Sequence, residues 1–92
     1  MSMLERDIEE YLVQWVRDQG GETRKVGWIG RSNAPDRLVF LPGRTVWVEC
    51  KAPGKKPTAA QLREHAILRG AGQEVIVIDS MEGVRALTSG RK

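Results

Sequence analysis

The sequence predicts an α/β domain with the element order α-β-β-β-α-β-α and a mixed four-stranded sheet flanked by helices. Three observations lead to this fold class. Apolar residues recur at helical spacing near the N-terminus, two apolar strands flank Pro42-Gly43, and a continuous apolar run at 74–79 follows a second helical segment. An antiparallel meander followed by a helical crossover to a fourth strand produces such a sheet.

The first element is an amphipathic helix over residues 3–19, because its apolar side chains recur every three or four positions. Ser2 is the candidate N-cap, with Glu5 three positions later in the pattern of a capping box. Gly20 and Gly21 end the helix. The apolar stripe consists of Leu4, Ile8, Tyr11, Leu12, Trp15 and Val16.

Three strands follow this helix. Residues 22–29 form a weak strand that Gly27 interrupts, and residues 30–34 form a flexible loop. Strands over 36–41 and 44–51 flank Pro42-Gly43. Since Pro42 cannot take the positive φ of a type I′ turn, a four-residue hairpin loop is favoured over a two-residue one.

The second half of the chain begins with a stiff basic loop at 52–57, which is either a solvated connector or a phosphate contact. Thr58 as N-cap and Gln61 at the third helical position predict a helix over 59–70. The run 74–79 is typical of a strand buried on both faces. Ser80 caps a short final helix to about residue 87, and we expect the last five residues to fray.

Length and composition indicate one domain, over residues 1–92 with a core at about 3–88. The composition, with 40% hydrophobic and 29% charged residues, excludes global disorder, and the longest apolar run, four or five residues, excludes a membrane span. One cysteine allows no internal disulfide, and no Cys/His cluster indicates zinc. No signal peptide is recognisable. We therefore expect a cytoplasmic protein without a membrane partner or a small-molecule cofactor.

The net charge is +3, and cations lie on both sides of the strand over 44–51. This distribution favours a nucleic-acid partner over a merely solvated surface. The candidate DNA-contacting side chains are Lys25, Arg31, Asn33, Lys55 and Lys56.

The strand over 44–51 ends in charged residues, which are costly to bury unless they are paired or used. Glu49 and Lys51 share one face because strand side chains alternate. A hairpin around Pro42-Gly43 with an even-numbered loop places Asp36 directly opposite Glu49, with Cβ atoms roughly 4.5–5.5 Å apart. Two carboxylates at that distance repel unless a cation lies between them, and their hard oxygens suit Mg²⁺ or Mn²⁺.

Other polar residues are open to two interpretations. Glu5 is either a helix-capping carboxylate or a third acidic residue at the metal site, and spacing alone favours the cap. Glu9 lies one turn further along the same stripe, so the pattern does not separate it from Glu5. His65, the only histidine, lies in mid-helix, where a surface or supporting role is more common than a catalytic one.

The ordered set Pro35-Asp36 and Glu49-Cys50-Lys51 resembles the PD-(D/E)xK nuclease superfamily. A finer resemblance, over about residues 4–85, is to the stand-alone phage and bacterial type of the virus-type replication-repair nuclease (VRR-NUC) family. Members of this family place a glutamate in the first helix, a Pro-Asp, a Glu-x-Lys before a Pro-Gly-Lys-Lys-type loop, and a glutamine early in the next helix. These features match Glu5, Asp36, Glu49, Lys51 and Gln61.

The resemblance implies a restriction-endonuclease-like domain that hydrolyses DNA. Asp36, Glu49 and the backbone carbonyl of Cys50 would hold one or two Mg²⁺ or Mn²⁺ ions, with Glu5 joining directly or through water. Lys51 would orient a water or stabilise developing charge, and Gln61 would position Lys51 or the scissile phosphate. It also implies a homodimer that acts on branched DNA, such as Holliday junctions, in a bacterial host cell.

Two other functions fit the pattern less well. One is a DNA-binding module with a nuclease-like fold and no turnover, which the presence of Asp36, Glu49 and Lys51 together argues against. The other is a small interaction domain in which Glu49 and Lys51 form an exposed ion pair that contributes about 0–1 kcal/mol.

Overall fold

The computed structural model describes residues 2–88. Met1 and residues 89–92 lie outside this range, and with them most of the tail that was expected to fray. The predicted order of elements is confirmed: α1 (Glu5–Asp18), β1 (Glu22–Lys25), β2 (Arg37–Leu41), β3 (Arg44–Cys50), α2 (Ala59–Gly70), β4 (Val75–Ile78) and α3 (Met81–Ala86).

The four strands form one mixed sheet in the order β1-β2-β3-β4. The first three strands are antiparallel neighbours, and β4 runs parallel to β3. Helix α2 is therefore the crossover that a parallel pair requires. Thr58 caps it by accepting the N–H of Gln61 at 3.1 Å, and the Gln61 side chain accepts the N–H of Thr58 at 2.9 Å, so the predicted capping box is present.

The hairpin between β2 and β3 has a two-residue loop, because Leu41 pairs with Arg44. The expected four-residue loop is therefore wrong. Gly43, the second residue of the turn, has a φ of +67°. Pro42, the first residue, needs no positive φ in such a turn, which has the sequence pattern of a type II turn. The predicted register is nevertheless confirmed: Arg37 pairs with Val48, and the next step along the ladder sets Asp36 against Glu49.

The apolar core lies between one face of the sheet and the helices α1 and α3. Alternation along β3 sends Val46, Val48 and Cys50 into this core and leaves Trp47 and Glu49 on the opposite face, where α2 lies. The two faces of the sheet therefore differ in chemistry. The buried core residues are Ile8, Leu12, Val16, Val39, Leu41, Val46, Val48, Cys50, Ile78, Val84 and Leu87.

Two predicted boundaries are wrong at the N-terminal side. Helix α1 begins at Glu5 with Leu4 as its N-cap, and not at residue 3 with Ser2. The Leu4 N–H is satisfied by the carboxylate of Asp7 at 2.7 Å, which takes the position expected of Glu5 in the capping box. Strand β1 ends at Lys25 and does not reach residue 29, although the Val26 N–H still bonds the Asp36 carbonyl at 3.1 Å.

Among residues 2–88, no helix is both long and apolar enough to cross a bilayer.

Gly21 packs so closely against β2 that a side chain should not fit. A Cβ atom there would lie 2.4 Å from the Phe40 carbonyl oxygen and 2.9 Å from Val16 Cγ1. We expect Gly21→Ala to lower the free energy of unfolding by about 1–3 kcal/mol, as overpacking does. Urea unfolding measures this change. Gly27→Ala is the matched control, because nothing lies within 4 Å of its Cβ position, and an equal loss in both variants would contradict the expectation.

Candidate active site

Asp36 lies at the start of β2 and reaches across to the end of β3. Its Oδ2 accepts the backbone N–H of Cys50 at 2.7 Å. This bond fixes the carboxylate beside Glu49, as the hairpin register predicts. Two acidic side chains are therefore held at one edge of the α2-facing side of the sheet.

Glu49 is buried, with 2% of its surface exposed, and both of its carboxylate oxygens face α2. Oε1 lies 3.1 Å from His65 Nε2, and Oε2 accepts a long hydrogen bond of 3.4 Å from the amide of Gln61. Burial raises the pKa of Glu49 to about 8, and the negative charge of Asp36 and a hydrogen bond with it add to this effect. Without a cation, this carboxyl group therefore favours its protonated form near neutral pH.

Lys51 follows β3 and shares the face of Glu49. Its backbone N–H bonds the Ile78 carbonyl at 2.9 Å, and its ammonium charge acts to lower the pKa of Glu49. Within residues 2–88, the Lys51 side chain has no ion-pair partner at salt-bridge distance. The ammonium group is therefore available to a substrate.

Glu5 and Glu9, which the sequence pattern did not separate, have different surroundings. Glu9 is held by Lys25 at 2.7 Å and Arg37 at 2.8 Å. Burial acts to raise the pKa of Glu9, but these two bonds lower it overall. Glu5 is exposed at the first position of α1, and its charge contributes to the raised pKa of Glu49. Glu9 is thus bound in an ion-pair cluster, whereas the charge of Glu5 acts on Glu49.

Gln61 has two roles in the structure. Its Oε1 completes the cap of α2, and its Nε2 faces Glu49. The resemblance implied a contact with Lys51 or a phosphate, but the hydrogen bond observed is to the buried carboxylate. The side chain of Cys50 lies in the core, and burial together with the nearby carboxylates raises the pKa of its thiol.

The candidate DNA-contacting residues divide into two groups. Lys55 and Lys56 are exposed on the loop after β3, and Asn33 is exposed with a φ of +70°. Lys25 and Arg31 are also exposed but are engaged in ion pairs, with Glu9 and with Glu64 at 2.8 Å, respectively.

Sequence analysis missed the polar stripe on the inner side of α2. Glu64 is buried and accepts bonds of 2.8 Å from both Trp28 Nε1 and Arg31, which fastens the loop before Asp36 to this helix. His65 is fully buried and not a surface residue. The spacing of Gln61, Glu64, His65 and Leu68 was a readable signal, because these positions share one face of a helix.

The donor set suits a divalent cation in part. Asp36 and Glu49 are adjacent carboxylates, and the charge of Asp36 contributes to the raised pKa of Glu49. A hard divalent cation bound between them would neutralise this repulsion. In the range 2–88, however, no group of three or more Asp, Glu, His or Cys side chains is arranged to hold a metal ion. Glu5 therefore does not complete a three-carboxylate cluster with Asp36 and Glu49, and water or backbone oxygens would have to supply the remaining ligands.

Comparison with known proteins shows that this chain is similar to a phage protein and to a solved structure. No protein-family model matches the chain. Over 79 residues it is 54% identical to a protein named "Putative nuclease p44" from Acyrthosiphon pisum secondary endosymbiont phage 1, and the match covers 85% of each chain. A solved structure described as a VRR_NUC domain has a TM-score of 0.86 and 38% identity, and the match covers 96% of this chain and 97% of the other.

The raised pKa of Glu49 predicts how metal-free stability depends on pH. Between pH 4.5, the ordinary pKa of a glutamate, and about pH 8, Glu49 of the folded protein holds a proton that the unfolded chain releases. We therefore expect the free energy of unfolding in EDTA to fall as the pH rises through this window. Glu49→Gln should flatten that fall. Denaturant titrations at several pH values test this, and parallel pH profiles for the two proteins would contradict it.

Proposed function

Since the chain belongs to the VRR-NUC family of nucleases, we propose that it is a metal-dependent DNA endonuclease that hydrolyses phosphodiester bonds. One observation supports this proposal most directly. The hairpin register and the 2.7 Å bond to Cys50 bring Asp36 beside Glu49, and Lys51, which directly follows β3, is near enough for its charge to act on Glu49.

The proposed metal ligands are Asp36, Glu49 and the backbone carbonyl of Cys50, with Glu5 joining through water because it does not form a three-carboxylate cluster with them. The ion would be Mg²⁺ or Mn²⁺, because all these donors are hard oxygens. When bound, such an ion makes a coordinated water more acidic and neutralises charge on the phosphate. The chain itself contributes the placement of the carboxylates: Asp36 is fixed by a backbone N–H, and Glu49 is fixed by side chains of α2.

Lys51 and Gln61 complete the proposed catalytic set. The ammonium of Lys51 would orient the attacking water or stabilise negative charge that develops on the phosphate oxygens. Gln61 would help to hold Glu49 in place, in line with its 3.4 Å contact. Its position at the N-terminus of α2 also suits an approaching phosphate, since that end of a helix favours anions.

We propose that DNA is held by basic and polar side chains near the site. Lys55 and Lys56 are exposed beside the end of β3, and Asn33 is exposed on the loop before Asp36. Lys25 and Arg31 would contact phosphates only by sharing or exchanging their carboxylate partners.

The proposed substrate is branched DNA, such as a Holliday junction, and the proposed active form is a homodimer. A two-fold symmetric dimer would present two identical sites to two of the four strands of a junction, and the distance between the sites would then select the DNA shape.

We expect Lys51→Ala and Asp36→Asn to lower the rate of DNA cleavage by at least about 10²–10³-fold, as loss of a group that stabilises transition-state charge does. The assay is cleavage of labelled DNA with Mg²⁺, with Mn²⁺ and with EDTA. Arg17→Ala, an exposed change on α1, is the control and should cleave like the wild type. If the wild type binds DNA but cleaves nothing with either metal, the chain is a binding module and the proposed activity is wrong.

The homodimer and the preference for junctions are tested together. We expect light scattering to give twice the chain mass at assay concentrations, and a four-way junction to receive paired symmetric cuts. Matched duplex, flap and single-stranded DNA should be cut more slowly. A monomer would contradict the dimer, whereas equal metal-dependent cutting of all substrates would retain the nuclease and remove the selectivity.

A further inference from the structure

His65 is a buried polar residue that the proposed reaction does not use directly. It lies on α2 with none of its surface exposed, and its Nε2 is 3.1 Å from Glu49 Oε1. Within residues 2–88, its other ring nitrogen, Nδ1, has no hydrogen-bonding partner. Burying an imidazole with one unsatisfied nitrogen destabilises a fold, and the contact with Glu49 is the hydrogen bond that offsets part of this cost.

We propose that His65 is the positioning residue for metal binding: it donates its Nε2–H to Glu49 and holds the carboxylate toward Asp36. This inference rests on the proposed function, because it concerns the same metal site. It adds a residue that touches neither the metal nor the DNA and that acts only through Glu49.

The direction of the hydrogen bond follows from the chemistry of the pair. A carboxylate that binds a metal must be ionised, and it is then only an acceptor. Nε2 is the ring nitrogen that lies 3.1 Å from Glu49 Oε1, so it must carry a proton if the bond to an ionised Glu49 is to form.

The geometry explains why a histidine suits this place. Glu49 has two oxygens facing α2, and the bond to Gln61 is long at 3.4 Å, whereas the bond to His65 is 3.1 Å. A rigid ring on a helix limits the rotation of the carboxylate better than a single long bond does. Partners of this kind around a metal-binding carboxylate typically change metal affinity by about 10–100-fold when they are removed.

The test compares two amides at position 65. In His65→Gln, the side-chain NH₂ group lies near the place of Nε2 and can still reach Glu49. In His65→Asn, the shorter side chain brings its amide only to the place of Nδ1. The probe is Mn²⁺ alone, titrated into the protein without DNA and followed by calorimetry, so the readout does not depend on cleavage. His65→Leu, which removes every polar atom, is the third variant.

We expect His65→Asn and His65→Leu to bind Mn²⁺ about 10–100-fold more weakly than the wild type. His65→Gln should retain most of the affinity. Leu68→Ala, on the same face of α2, is the control for general loosening of the helix, and it should lower the unfolding midpoint while leaving the affinity nearly unchanged. Unfolding curves of every variant show which of them are folded. If His65→Leu does not fold, the comparison of the two amides decides the question.

The failures of the two proposals can be told apart. If the wild type binds Mn²⁺ and cleaves DNA while His65→Asn and His65→Gln bind the metal equally well, the role of His65 is wrong and the nuclease stands. If Leu68→Ala lowers the affinity for Mn²⁺ as much as His65→Asn does, the proposed role of His65 is also wrong. If the wild type neither binds Mn²⁺ nor cleaves DNA, the proposed function fails, and this inference fails with it.

Discussion

The site depends on one unfavourable arrangement, the burial of Glu49 next to Asp36. A buried carboxylate beside a second one resists ionisation, which the raised pKa of Glu49 expresses. The fold maintains this arrangement because the antiparallel register of β2 and β3 leaves neither strand free to slip. A one-residue shift of β2 would move Val39 out of the core, and a one-residue shift of β3 would move Val46 and Val48 out of it. The apolar pairing on one face of the hairpin thus forces the two acids together on the other.

The two faces of the sheet have different roles: one carries the apolar core, and the other carries the buried polar groups of the candidate site. On the face of α1 and α3, the contacts are almost entirely apolar, and the buried thiol of Cys50 belongs to them. On the face of α2, the buried groups include Glu49, Glu64 and His65, and hydrogen bonds connect them to neighbouring elements. Because large apolar burial dominates folding energetics, changes on the α2 face can alter the site while the core remains intact.

Much of this organisation is readable in the sequence, because period-two alternation, the Pro42-Gly43 turn and the Thr58 cap are local signals. They predicted the order of elements, the register and the opposition of Asp36 and Glu49. The loop length was wrong because a turn with one left-handed residue was overlooked. Helical spacing places Gln61 and His65 on one face of α2, but their contact with Glu49 could not be predicted, since that contact depends on which strand the helix packs against.

The polar inner stripe of α2 couples the packing of this helix to the charge of Glu49. Hydrogen bonds to an ionised carboxylate are shorter and stronger than those to a neutral one. Ionisation of Glu49 would therefore strengthen its bonds from His65 and Gln61 and hold α2 more firmly on the sheet. Glu64, on the same stripe, fastens Trp28 and Arg31 of the loop that leads to Asp36. A cation that favours the ionised form of Glu49 would thus stabilise the packing of α2 on the sheet and, through Glu64, the position of the loop that leads to Asp36.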